Sequence, residues 1–332
     1  MRLVTLPLSW LYRAAVRWHN PGVSDHVAPM PVISIGNLEV GGTGKSPIAQ
    51  AVCDVLSAKG YQPAILSRGY GGALKGPVRV DPDVHAATDV GDEPMMHARA
   101  GYRVYIGGDR LKSATFAVTQ GINVAVLDDG HATKSVKSNL SVLVLRPGFS
   151  GRRHLLPAGR LREPLVKGLA RAHWVIVNGQ PTEADQALLQ AHDLPWITGG
   201  FRLTPVDEHL RDQSFVLVTG VANPHRVVQS VSSMGLMVRD HLCFPDHHRF
   251  KKSDLLKIQK KLMAYDATLL TTAKDAERLP DTLLQQAVVL RGGWCADDAS
   301  RFDDLLTQSL DRMNASSPGD ALAGQLPALG HS

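Results

Sequence analysis

Apolar residues fall in short, dense runs separated by polar and glycine-rich stretches. The runs at 31–36 (PVISIG), 64–67 (AILS), 104–106, 123–128 (NVAVLD), 140–145 (LSVLVL) and 174–178 (WVIVN) have the length and β-branched content of buried strands. A helical stretch follows the first run, ends at Lys59 and is closed by Gly60, a helix-stop signal. Strands alternating with helical or glycine-rich segments predict an α/β fold with a mostly parallel sheet flanked by helices. A second alternating block starts at 215–220 (FVLVTG), with helices near 224–234 and 253–265 and strands at 268–272 and 287–290. The pattern therefore predicts a core unit over 21–205, a smaller α/β unit over 206–315, and a loose tail over 316–332, rich in Gly, Pro, Ala and Ser.

From Pro7 onward the chain reads as an amphipathic helix within residues 1–20. Leu8, Leu11, Ala15 and Trp18 share one face, and Ser9, Arg13 and Arg17 lie on the other. Such a helix suits a bilayer interface with anionic lipid, or it packs on its own domain. Arg13 and Arg17 interrupt the apolar stretch and no small-residue cleavage site follows, so it is a poor secretory signal.

Composition narrows the classes. With 332 residues, 44% hydrophobic and 20% charged, the chain can bury two cores, and disorder or coiled coil fits poorly. No apolar run reaches the ~18 residues of a membrane-spanning helix. Cys53, Cys243 and Cys295 are scattered and odd in number, which argues against a disulfide framework and against a zinc site. The net charge of +5 and pI near 9.1 fit a slightly basic soluble protein, an anionic substrate or an anionic membrane surface. No nucleic-acid motif is present, and nothing points to an obligatory protein partner.

The strongest chemical signal is Gly41-Gly42-Thr43-Gly44-Lys45-Ser46 between a strand and a helix. Glycines let backbone N–H groups turn toward phosphate oxygens. Lys45 would reach the β/γ-phosphates of a nucleotide, and the Ser46 hydroxyl would ligate Mg²⁺. The pattern departs from a strict phosphate-binding loop, because Glu39 stands where the first glycine belongs. Asp128-Asp129-Gly130 ends an apolar strand, the arrangement that brings a carboxylate to Mg²⁺. Gly91-Asp92-Glu93-Pro94 is a second acidic pair, placed to cap a helix or to serve a site. Phe244-Pro245-Asp246-His247-His248-Arg249-Phe250 suggests acid–base or metal chemistry, or a solvated polar loop. Ser67-Arg68-Gly69-Tyr70 and the Arg-dense loop 157–164 are candidate phosphate contacts or plain surface loops.

In order, the segments LPLSWLY, VISIGNLEVGGTGKSP, ILSRGYGG, GDEP, LDDG, LLPAGRLREP, GVANPHR, FPDHHRF and LLTTAKDAERL span residues 6 to 279. Together they resemble the tetraacyldisaccharide 4′-kinase family of lipid A biosynthesis. The resemblance implies a P-loop NTPase-like core, a smaller α/β domain and an N-terminal helix on the cytoplasmic face of the bacterial inner membrane, held peripherally. It implies that ATP phosphorylates the 4′-hydroxyl of tetraacyldisaccharide 1-phosphate, a lipid A precursor, to form lipid IVA. By matching positions, Lys45 and Ser46 would bind ATP and Mg²⁺, and Asp92 paired with His247 would act as base. Glu93, Asp128, Asp129 and Glu163 would be acidic groups around the metal. Ser67, Arg68, Tyr70, Arg110 and Arg162 would be further polar groups of the site.

One stretch departs from the family pattern. Where the family reads DDGFQH followed by RDL, this chain has Asp128-Asp129-Gly130-His131-Ala132-Thr133 followed by Ser138-Asn139-Leu140. A P-loop switch or adaptor that transfers phosphate only to water is one rival reading, and a degenerate homologue with reduced turnover is another. The GDEP and FPDHH segments favour the kinase, because a switch needs no base for an alcohol.

Overall fold

The computed structural model describes residues 26–131, 135–204, 207–221, 224–246 and 248–315. Its strands are β1 (Val32–Gly36), β2 (Pro63–Ser67), β3 (Val78–Arg79), β4 (Val104–Ile106), β5 (Val124–Asp128), β6 (Leu140–Leu145), β7 (Trp174–Asn178), β8 (Trp196–Leu203), β9 (Ser214–Thr219), β10 (Met237–Cys243), β11 (Thr268–Thr272), β12 (Val288–Leu290) and β13 (Gly292–Ala296). The four helices that matter most below are α1 (Lys45–Ala58), α2 (Asp92–Arg99), α3 (Lys252–Tyr265) and α4 (Ala299–Ala315).

Nine strands form one sheet in the order β13-β8-β7-β6-β1-β5-β2-β4-β3, and four form a second in the order β10-β9-β11-β12. Strands β8 through β4 of the large sheet run parallel, and its two edge strands, β13 and β3, are antiparallel. The central strands β1, β5, β6 and β7 are buried at every position. They read as near-continuous apolar runs because helices or loops cover both faces of the sheet. One face carries α1, α2 and α4, whose Ile48, Val52, Leu56, Met95, Phe302 and Leu306 join Trp174 in a single core.

The chain leaves β1 toward β5 and β2 on one side, and reaches β6 on the other. In open α/β sheets such a reversal opens a crevice at the carboxyl ends of the strands, where ligands bind. The register sets Ile35 beside Asp128, so the carboxylate that ends β5 emerges next to the loop leaving β1.

The second sheet falls within the stretch expected to form the smaller α/β unit over 206–315. It closes with β12 at Leu290, while β13 pairs antiparallel with β8 and α4 packs into the core of the large sheet. Gly292–Ala296 and Ala299–Ala315 thus pack with the large sheet and not with the four-stranded one. The reason is long-range burial: Phe302 packs edge-on against Trp174 of β7, 6.1 Å between ring centres, and local periodicity carries no trace of that partner. The expected helix within 1–20 and the tail 316–332 lie outside the described residues. Among the described residues, no helix is long and apolar enough to cross a membrane.

Leu306 is fully buried in the core it shares with Trp174 and Ile48. Leu306→Ala is expected to cost about 2–5 kcal/mol of unfolding free energy in urea titrations. Amide exchange should then accelerate in β6 and β7. Faster exchange confined to β9–β12 would instead place α4 with the small sheet.

Candidate phosphate-transfer site

The loop from β1 to α1 is held from within. Asn37 Nδ2 donates to Thr43 Oγ1 at 2.9 Å, and Asn178 Nδ2, from the end of β7, donates to the Thr43 carbonyl at 2.7 Å. Gly41 and Gly44 have φ of 99° and 87°, a left-handed backbone that suits glycine. A Cβ at Gly44 would also overlap the Asn178 amide.

The loop's flank is tied to the segment carrying LREP. Val40 N donates to the Arg160 carbonyl at 2.9 Å, and Arg162 N donates to the Leu38 carbonyl at 2.7 Å. Glu39, the departure from the usual glycine, is buried and ion-paired with Arg146 (3.2 Å) and Arg152. A lone carboxylate at that depth would be costly, and two guanidinium groups offset its lost hydration.

Asp128 sits at the centre. It is buried, and its Oδ2 lies 3.3 Å from Nε2 of His97, a fully buried residue of α2. Nδ1 of His97 lies 2.9 Å from the Gln50 amide nitrogen of α1. An amide nitrogen only donates, so Nδ1 accepts and the ring proton is on Nε2, facing Asp128. Burial pushes the Asp128 carboxyl up, but His97, Lys45 and Ser46 outweigh it and hold the group below the ordinary carboxylate range. Glu93 is shifted the other way, raised by burial and by Asp128 against the pull of Lys274, Lys45 and His97. Two neighbouring carboxyls are thus driven apart, with the negative charge favoured on Asp128. Asp128 Oδ1 is buried with no hydrogen-bond partner.

Asp129 follows in the left-handed region, φ 63°. Its carboxylate joins Lys45 (3.5 Å) to Arg162 (3.3 Å). Arg110 is buried, donates to the Gly107 carbonyl, and is lowered to about 10 by burial and Arg68 against Asp128 and Asp129; it stays charged at neutral pH. Ser67 is buried at the end of β2, Arg68 beyond it is exposed, and Tyr70 is 87% exposed.

Asp92 opens α2 and lies 3.9 Å from Arg278 of the second block. Arg278 is fixed in turn by Asp275 (2.9 Å) and the His248 carbonyl (3.2 Å). Lys274 pairs with Asp246 at 3.4 Å, and Arg99 with Glu277 at 2.8 Å. The GDEP, FPDHH and AKDAER segments therefore meet where α2 faces the small sheet. His247 lies outside the described residues.

Arg171 holds both oxygens of Glu163, at 2.6 and 2.9 Å. Among the described residues, no three His, Cys, Asp or Glu side chains converge to hold a metal ion by themselves. Glu163 goes to Arg171 because a bidentate guanidinium satisfies a buried carboxylate more completely than a crowded acidic cluster would.

In the departing stretch, His131 is buried against Gly36, Nδ1 3.1 Å from Ser141 Oγ and Nε2 4.0 Å from Glu163. Burial and Arg171 push its titration down to about 4. Ala132 and Thr133 lie outside the described residues. Local reading missed Gln50, His97, Asn178 and Arg171, and gave Glu39 no partner. Gln50 and His97 each follow a motif residue by one helical turn, Ser46 and Glu93, so i, i+4 spacing was a usable signal.

The family described as Tetraacyldisaccharide-1-P 4'-kinase matches residues 1–311. The curated tetraacyldisaccharide 4'-kinase of Rhodospirillum centenum is 36% identical over 309 residues, covering 92% of this chain and 90% of its own. Those of Caulobacter vibrioides and Hyphomonas neptunium are 38% and 36% identical, covering 84% of this chain and 85% and 82% of their own. Among solved structures, LpxK from Aquifex aeolicus, in complex with ATP, aligns with TM-score 0.73 at 24% identity, over 93% of this chain and 99% of its own. That likeness concerns the fold.

His131 gives a pH prediction. Its folded value of about 4 lies below the ordinary 6.5, so the unfolded chain binds more protons between them. Its share of stability is complete above pH 6.5 and is lost as pH falls toward 4. His131→Phe is expected to remove about 2 kcal/mol of the stability lost between pH 7 and pH 5. Equal losses in parent and variant urea titrations would contradict this.

Proposed function

The chain belongs to the tetraacyldisaccharide-1-P 4'-kinase family, and from that premise we propose that this site passes the γ-phosphate of ATP to the 4'-hydroxyl of tetraacyldisaccharide 1-phosphate. The chain is a kinase of lipid A biosynthesis. One observation carries the assignment of the site: the helix that begins with Asp92 also supplies His97 to Asp128. The phosphate end and the acceptor end of the reaction then share one rigid element.

In this reading the N–H groups of residues 41–46 and the start of α1 cradle the phosphates. Lys45 exchanges its Asp129 partner for phosphate oxygens, and Asp129 keeps the ammonium aimed at the loop until then. Arg110, Arg68 and Arg162 add positive charge where phosphate charge accumulates, the main demand of phosphoryl transfer. Asp92 takes the proton of the sugar hydroxyl as its oxygen attacks phosphorus, with His247 as its partner. Arg278 orients Asp92 and is itself locked by Asp275.

Mg²⁺ fits the donor set. Asp128 Oδ1 is a buried, unpartnered oxygen, and Ser46 and Glu93 lie beside that carboxylate. Mg²⁺ in nucleotide sites is held by one or two carboxylates together with phosphate oxygens. Asp128 and Ser46 would hold it, with Glu93 alongside, and when bound it neutralises phosphate charge. A four-chain acceptor stays in the bilayer, so the enzyme works at an anionic membrane surface, the cytoplasmic face of the inner membrane, with residues 1–20 as one contact.

A second reading, reduced turnover, is favoured by the His131-Ala132-Thr133 stretch and by the engagement of Glu163 with Arg171. Labelled ATP with the tetraacyl acceptor in detergent tests both readings. The expected result is labelled lipid; label appearing only in inorganic phosphate would contradict the kinase reading. Lys45→Ala should cut transfer by on the order of 100-fold or more while the fold is kept. Asp92→Asn should lower turnover with ATP affinity little changed. Loss of ATP binding in Asp92→Asn would move that residue from the acceptor to the nucleotide.

A further inference from the structure

Helix α3 buries one face and leaves the other unpartnered. Ile258 is fully buried, and Leu255 and Leu262 pack with it against Val216, Val218 and Leu242 of the small sheet. The outward face carries Lys252, Leu256, Lys257, Lys260 and Met263, at the three- and four-residue spacing of one helical side. Leu256 is 57% and Met263 82% exposed. Lys261 is engaged by Asp240 at 2.7 Å and lies over the Tyr265 ring. Lys252, Lys257 and Lys260 have no ion-pair partner among the described residues. From 255 to 265 the sequence LLKIQKKLMAY has no acidic residue. Solvated helix faces usually mix both signs of charge and keep large apolar side chains scarce.

We propose that this outward face of α3 docks on the anionic surface of a lipid bilayer, as a membrane contact separate from residues 1–20. The lysines match anionic headgroups in sign, and Leu256 and Met263 stand between them where the headgroup layer meets the acyl chains. The helix is about 21 Å long, so several headgroups fit along it. A nucleic acid is a poorer match, since the face has no arginine to fork phosphates and only Tyr265 as an aromatic ring.

The face is also coupled to the candidate acceptor site. His248 Nε2 and Asp254 Oδ2, in the first turn of α3, are 2.9 Å apart. The His248 ring is stacked on Phe244 at 4.9 Å, and Asp246 of the same loop reaches Lys274 at 3.4 Å. A bilayer under α3 would therefore lie at a fixed offset from the FPDHH loop. This use of the contact rests on the reading of the acceptor as a membrane lipid; the docking itself does not.

The test uses the full chain with Cys243→Ser and Cys295→Ser, leaving only the buried Cys53, and an environment-sensitive dye on Met263→Cys. Vesicles of phosphatidylcholine mixed with phosphatidylglycerol should blue-shift the dye, and phosphatidylcholine alone should not. Lys252→Gln/Lys257→Gln/Lys260→Gln should weaken vesicle binding by on the order of 100-fold, about fivefold per lysine, and the triple arginine variant should restore it. An unshifted dye on a chain that sediments with anionic vesicles would overturn the proposal, as would equal binding by the glutamine variant or no binding at all. Transfer of label in detergent needs no bilayer. Its failure would strike the proposed reaction and leave the docking result standing, and the converse also holds.

Discussion

A carboxylate kept ionised in the protein interior is the constraint on which this structure turns. Asp128 is buried at the end of a central strand, where a charge without partners would be neutralised or expelled. It stays below its ordinary range because three side chains from two helices converge on it: His97 of α2, and Lys45 and Ser46 at the start of α1. Gln50 fixes the tautomer that lets His97 donate. Both helices lie on one face of the sheet, their apolar residues filling a common core beneath the site.

The phosphate loop solves a related problem with different partners. Its inner turn is glycine because Asn178 and the left-handed backbone leave no room for a side chain. Its outer flank carries Glu39, whose charge is met by Arg146 and Arg152 from the far side of the sheet reversal. The carboxylates near the loop that do not face the crevice are each committed to arginine, Glu39 to these two and Glu163 to Arg171. Asp128, with one unpartnered oxygen, is the exception, and that asymmetry marks it as the group reserved for a ligand.

Much of this was legible in the chain. The runs VISIG, VAVLD, LSVLVL and WVIVN are apolar at nearly every position because both faces of their sheet are covered, so strand type and parallel pairing could be read directly. The glycine loop, the Asp128-Asp129 pair and the order of the family segments pointed to the candidate site. Three things stayed hidden for physical reasons. Strand β13 and helix α4 return to a sheet whose nearest strand in sequence is β8, and edge pairing leaves no periodic signal. Asn178 reaches Thr43 from 135 residues away. Arg171, eight residues on, pairs with Glu163, and the motif itself carries no sign of that partner.

The central claim is that Asp128, poised by His97, is the carboxylate that serves the bound nucleotide. A double-mutant cycle on Mg²⁺-dependent ATP affinity tests it most directly, with His97→Gln, Asp128→Asn and the double variant measured by calorimetry. The account predicts a loss of about 10–100-fold for His97→Gln, as for other groups that orient a ligating residue. It also predicts a double variant little worse than Asp128→Asn alone, because His97 acts only through that carboxylate. Losses that simply multiply, or a His97→Gln protein that binds as tightly as the parent, would contradict it.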